Sequence, residues 1–167
     1  MRVHDDAQST MTDSLRCLAT KVPPPLIALV IVAGMWLVTW VTPVVPLAEF
    51  VLVPIACVLA AGGMAFALAG SLAFRRAGTT VNPLKPERAS QLVISGVYRI
   101  TRNPMYLGLL LGLVALAVYF AAPLALAGPV VFAAYIHRFQ IKPEERALEA
   151  KFGRAYVDYK QRVRRWL

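Results

Sequence analysis

The sequence predicts an all-α, polytopic membrane protein with about four transmembrane helices and a C-terminal amphipathic cytoplasmic helix. Three observations predict it. Hydrophobic residues make up 58% of the 167 residues and charged residues only 16%, far too apolar for an ordinary soluble domain. The apolar residues fall in long blocks, as a bilayer requires. The basic residues are segregated: Arg2, Arg16 and Lys21 precede the first block. Arg75, Arg76, Lys85, Arg88, Arg99 and Arg102 lie between the second and third, and the rest follow the fourth, from Arg138 to Arg165. The two remaining connections hold none, which is the positive-inside pattern and puts both termini in the cytoplasm. Topology therefore accounts for the net charge of +9, and no nucleic-acid partner is expected.

The elements follow in order. Residues 1–25 form a polar N-terminal tail, expected to be disordered and cytoplasmic. The domain proper is residues 26–167. Pro23, Pro24 and Pro25 mark entry to a first span over about 26–44, and Trp36, Trp40, Pro43 and Pro46 mark its interfacial exit. The second span covers about 48–74. Its Gly62, Gly63, Ala67 and Gly70 allow a neighbouring helix close approach. A long cytoplasmic connection, 75–103, mixes aromatic, apolar and polar residues and reads as an ordered functional loop. The third and fourth spans, about 104–121 and 123–137, are short for a crossing of about 20 residues. They suit a tight helical hairpin, with a re-entrant hairpin as the alternative. Beyond His137 the chain turns charged. From Pro143 to about residue 165, Leu148, Phe152, Ala155, Tyr156, Tyr159, Val163 and Trp166 recur at spacings of three and four, an amphipathic helix at the membrane surface or capping the domain.

Several chemistries are excluded. Cys17 and Cys57 are too few and too separated for a disulfide framework, and no metal-ligand spacing exists. There is no dinucleotide fingerprint or P-loop. His4 and His137 are isolated, so nucleophilic triads have no base.

Two cytoplasmic segments carry candidate chemistry. In Gly96–Gly108, Asn103 is a good N-cap and Pro104 a good first helical residue. The helix start could receive a carboxylate, Arg99 and Arg102 add positive charge, and Tyr98 and Tyr106 offer aromatic faces. The plainer account is a capped helix with snorkelling arginines and interfacial tyrosines. In the second segment, Glu144 and Glu145 stand in the first turn of the helix expected after Pro143. There the helix dipole stabilises them, or one faces a cationic or hydroxyl-bearing ligand.

Taken together, GTTVNP, SQLVISGVYRITRNPMYLG and EERALEAKFGRAYVDYKQRVRRW resemble the integral membrane methyltransferases of the isoprenylcysteine carboxyl methyltransferase and phospholipid methyltransferase superfamily, in its short bacterial form. The resemblance covers residues 78–166. It implies S-adenosylmethionine as methyl donor, taken from the cytosol and bound by Ser90, Gln91, Leu92, Val93, Tyr98, Asn103, Pro104, Met105, Tyr106 and Glu144. It also implies a membrane lipid or other small apolar acceptor, and a bacterial inner membrane location. Arg102, Arg138 and Glu145 are the candidates for action at the reacting centre. Two positions depart from the eukaryotic pattern. Asn103 stands in place of a histidine, and Gln140 stands in place of an arginine that binds substrate. Arg138 is the possible substitute for that arginine.

The implied reaction is direct methyl displacement from an activated sulfonium, needing alignment and exclusion of water rather than a metal. The alternatives are a methyltransferase for a small thiol or amine, a catalytically silent membrane scaffold or assembly protein, and a small transporter. No charged residue lies deep in a span, which argues against transport. The sequence does not define the acceptor or the oligomeric state.

Overall fold

The computed structural model describes residues 22–43, 45, 49–78 and 91–167. The N-terminal tail up to residue 21, the GTTVNP motif after its Gly78, and Ser90 lie outside the described residues. All regular structure among those described is helical: α1 (Pro24–Val38), α2 (Glu49–Arg76), α3 (Pro104–Phe120), α4 (Ala127–Ile136), α5 (Lys142–Phe152) and α6 (Arg154–Arg162). Short 3-10 turns at Gly96–Arg99 and Pro123–Leu126 precede α3 and α4.

Two helices are long and apolar enough to cross a membrane: α2, and the continuous helix Pro123–Phe152. The apolar helices α1 and α3 are shorter. Large apolar side chains such as Leu29, Val30, Phe50, Val58, Met64 and Val130 are exposed, as is expected of surfaces solvated by lipid.

The core gathers Met35, Leu113, Phe132, Ile136 and Ile141, with Tyr106 at the end where the basic residues lie. Glycines set how closely the helices approach. A Cβ on Gly63 would lie 2.7 Å from the Gly108 carbonyl oxygen, and one on Gly70 would lie 3.0 Å from side-chain carbons of Pro104 and Met105. The α2–α3 seam therefore runs through Gly63, Ala67 and Gly70, whereas Gly62 has open space beside it. Gly128 likewise lets α4 approach Met35 and Ile31 of α1. At the opposite end from the basic residues, the Val45 N–H donates to the Ala121 carbonyl at 2.7 Å. Ala121 itself ends α3 in the left-handed region, φ 50°.

Three expectations are corrected. No new helix opens at Pro143, because His137–Ile141 is a π turn that carries α4 into α5. Proline has no N–H to return to the preceding turn, and the wider π turn lets the chain pass it without stopping. The fourth helix is therefore longer than 123–137. Glu144 and Glu145 also lie inside a continuous helix, with no free helix N-terminus to stabilise them. The single helix expected over 143–165 is two, divided at Gly153, whose φ of 52° favours glycine. The divided segment caps the domain: Tyr156, Tyr159 and Val163 pack with Leu92, Leu148 and Phe152.

Candidate functional site

The two sequence segments singled out meet at the end of the bundle where the charged residues cluster. Tyr106 sits in the first turn of α3, buried against the core. Its hydroxyl donates to Glu144 Oε2 at 3.1 Å. Tyr98, in the 3-10 turn before α3, is buried edge-on against Phe74, ring centroids 5.3 Å apart. The charge of Glu144 acts on Tyr98 as well: burial first, and then this carboxylate, push the phenol pKa upward. Tyr98, Tyr106 and Glu144 thus form one cluster drawn from three elements.

The π turn decides which way the paired glutamates face. One extra residue in a helical turn rotates everything after it by about 100°. Glu144 meets Tyr106, while Glu145 faces Arg102 and Arg165. Arg165 grips Glu145 with two prongs, Nε to Oε1 at 2.9 Å and Nη2 to Oε2 at 2.7 Å. Arg102 Nη1 lies 3.0 Å from Glu145 Oε1. The two neighbours are therefore electrostatic opposites. Glu145 is held by two guanidiniums, whereas no basic side chain pairs with Glu144 among the described residues. Burial pushes the Glu144 carboxyl up to about 7, against the Tyr106 hydrogen bond, which lowers it, and with a further upward push from Glu145.

Asn103 does not cap α3 with its side chain. Its Nδ2 donates instead to the Arg165 carbonyl at 2.8 Å. The same oxygen accepts from Thr101 Oγ1 at 3.2 Å. Asn103 holds the expected N-cap position, its carbonyl accepting from the Leu107 N–H at 2.9 Å, but its side chain is turned to a carbonyl from a distant part of the chain. Pro104 and Met105 are directed to α2: Pro104 packs on Gly70, and Met105 Sδ lies 3.6 Å from the Ser71 hydroxyl. Of the loop residues, Leu92 packs into the Tyr156–Tyr159 cluster, Val93 is buried and Gln91 is exposed. Arg138 is exposed on the π turn and makes no polar contact among the described residues. Gln140 is fully buried. Its Nε2 donates to the Val22 carbonyl at 2.8 Å, and its Oε1 has no partner among the described residues.

Sequence reasoning missed Thr101, Tyr159 and Arg165 as parts of this end of the molecule. Thr101 is fully buried, and Tyr159 donates to the Tyr98 carbonyl at 2.7 Å. Nothing in the sequence separates Arg165 from the basic run around it.

An acidic group that lacks a cationic partner among the described residues, flanked by two buried phenols, is a suitable receptor for a cationic ligand with an aromatic part. The phospholipid methyltransferase family matches residues 51–155. Protein-S-isoprenylcysteine O-methyltransferase B of Arabidopsis thaliana is 37% identical over 91 residues, 53% of this chain and 45% of that protein. The chain thus spans about half the length of that relative. An uncharacterized protein of Haemophilus influenzae is 51% identical over 63 residues, 38% of this chain and all of that protein. No solved structure matches the chain significantly. The matched region runs from α2 through the Tyr98–Tyr106–Glu144 cluster into α6, and the chain belongs to the phospholipid methyltransferase family.

Proposed function

We propose that this membrane methyltransferase uses S-adenosylmethionine, drawn from the cytosol, and passes the methyl group to a lipid-like or small apolar acceptor that arrives from the bilayer. The observation that carries the reading is the Glu144 carboxylate, held by Tyr106 at 3.1 Å and lacking a basic partner among the described residues. Such a group is a ready counter-charge for the amino or sulfonium centre of the donor. Tyr98 and Tyr106 supply aromatic surface for the adenine, and Gln91, Leu92 and Val93 the neighbouring loop.

In this reading the chain crosses the membrane four times, through α1, α2, α3 and the apolar part of Pro123–Phe152. The charged face lies in the cytoplasm. The donor supplies an activated methyl group. The residues of the chain hold it in line with the acceptor and keep water away. The acceptor's lone pair forms the new bond to the methyl carbon as the carbon–sulfur bond breaks, and the sulfur keeps that electron pair. Arg102 and Glu145 act by holding the site. Arg138, exposed beside it, is the cation available to an anionic acceptor group.

A second reading, methylation of a small thiol or amine, draws on Gln140. Its unpaired buried Oε1 can accept from an S–H or N–H and offers nothing to a carboxylate.

Calorimetric titration of the purified protein with S-adenosylmethionine tests the proposal. Wild type should bind saturably, and Glu144→Gln should bind about ten- to hundredfold more weakly, the value of a charge-assisted hydrogen bond. Equal affinities on folded protein would remove Glu144 from the site. Labelled-methyl transfer into a lipid extract and into small thiols and amines would then separate the two acceptors. Cysteines at positions 45 and 150 report topology: external reagent should reach the first and miss the second.

A further inference from the structure

The segment Val163–Trp166 follows α6 without regular secondary structure, yet it is tied to several parts of the site end. The Arg164 carbonyl accepts from the Arg102 N–H at 3.0 Å. The Arg165 carbonyl accepts from Thr101 Oγ1 and Asn103 Nδ2. The Arg165 guanidinium grips Glu145 and approaches His137 Nδ1 at 3.4 Å. Trp166 packs against the core that includes Tyr106. One residue thus joins the start of α3 through its backbone to the start of α5 through its side chain. Tyr106 and Glu144 stand on those same two stretches, each one to three residues from a tie point.

We infer that Arg165 is a positioning residue for the methyl-donor site: it sets the spacing between Tyr106 and Glu144 without touching the donor. Asn103 acts through the same strap. The inference rests on the assignment of Glu144 to the donor. Geometry supports it in two ways. One N–H of the Asn103 amide is given to the Arg165 carbonyl, which ties Asn103 to the strap. Glu145 is gripped by a planar fork, which fixes the rotation of its helix, and with it the adjacent Glu144, more firmly than a point charge would. The charged and titratable groups around Glu144 are Tyr106 on α3, Tyr98 on the preceding turn, Tyr156 on α6 and Glu145 on its own helix. Arg102 and Arg165 reach it through Glu145.

The test is S-adenosylmethionine affinity, by calorimetry, on full-length variants with wild-type helical content. Arg165→Met should weaken binding about tenfold, the scale of one lost charge-assisted hydrogen bond. Arg165→Lys should recover only part of it, because lysine keeps the charge and loses the fork. Arg165→Met should also raise the pH at which affinity is half-maximal, since Glu145 then keeps one counter-ion instead of two; a purely structural role would leave that midpoint in place. Asn103→Ala should weaken binding in the whole chain and add nothing once residues 164–167 are deleted. Arg154→Met, which removes an exposed arginine from the same region, should bind as wild type. A folded Arg165→Met protein with wild-type affinity and midpoint overturns the inference. So does an Asn103→Ala effect that persists in the shortened chain, because that marks direct contact with the donor. Should the shortened chain not fold, Arg165→Met and Arg165→Lys decide alone. A wild type that binds no donor, or a Glu144→Gln variant that binds normally, overturns the site reading and takes the strap's role with it. Loss of affinity in Glu144→Gln with none in Arg165→Met removes only the strap.

Discussion

Helix α3 is held by different physics at its middle and at its start. In the middle, Gly108 lies against Gly63 and Ala67 so closely that the backbones touch, and the contact has no polar side chain in it. Lipid is as apolar as the helices, so association there depends on shape and dispersion. At the start, the chain is held by charges and hydrogen bonds among Thr101, Arg102, Asn103, Glu145 and Arg165. Shape tolerates any residue that fits, whereas a polar network is sensitive to the loss of a single member. The first region can thus serve as a rigid support. The second can be tuned to a ligand, and it is there that one glutamate has no cation beside it among the described residues.

The largest effect should come from the network. Glu145→Gln leaves Arg102 and Arg165 facing each other without their shared anion. Arg102 and Glu145 side chains are only 11% and 13% exposed. Removing one partner of such a pair should cost about 3–5 kcal/mol, read as loss of unfolding free energy in detergent micelles.

Its neighbour should behave in the opposite way. The Glu144 carboxyl is raised from its ordinary value to about 7 in the folded protein. Ionisation is therefore disfavoured by folding. The resulting destabilisation is absent below the unfolded pKa, near pH 4.5, grows as pH rises, and is complete above pH 7. Glu144→Gln should leave stability unchanged at pH 4 and raise it at pH 8, by at most about 3 kcal/mol from the size of the shift. In wild type, affinity for a cationic donor should increase as pH climbs through 7 and then level off, while Glu144→Gln should show no such rise. A flat wild-type profile would mean that Glu144 is not the counter-charge.

The apolar seam gives the next effect. Gly108→Ala places a Cβ 2.6 Å from the Gly63 carbonyl oxygen and 2.9 Å from Ala67 Cβ. Two backbones must part to admit it, at a cost of about 1–3 kcal/mol. Gly62→Ala is the matched control. It meets nothing within 4 Å and should change stability by no more than about 0.5 kcal/mol. Equal losses at both positions would mean that the α2–α3 approach does not run through Gly63 and Gly108.

The sequence by itself determined the helical class, the apolar blocks, the basic end and the two segments that meet there. These follow from properties summed along the chain: hydropathy over a window, charge per connection, and residue spacing in a motif. Tertiary structure decided the rest. Asn103 stands at the N-cap of α3 but makes no cap bond with its side chain, which is turned to a carbonyl 62 positions away. Pro143 starts no helix because the preceding π turn makes room for it. Glu144 and Glu145, adjacent and chemically identical, receive opposite surroundings because that turn directs one to Tyr106 and the other to two arginines. Each outcome depends on which distant group arrives at a given polar atom, and a local pattern holds no record of that.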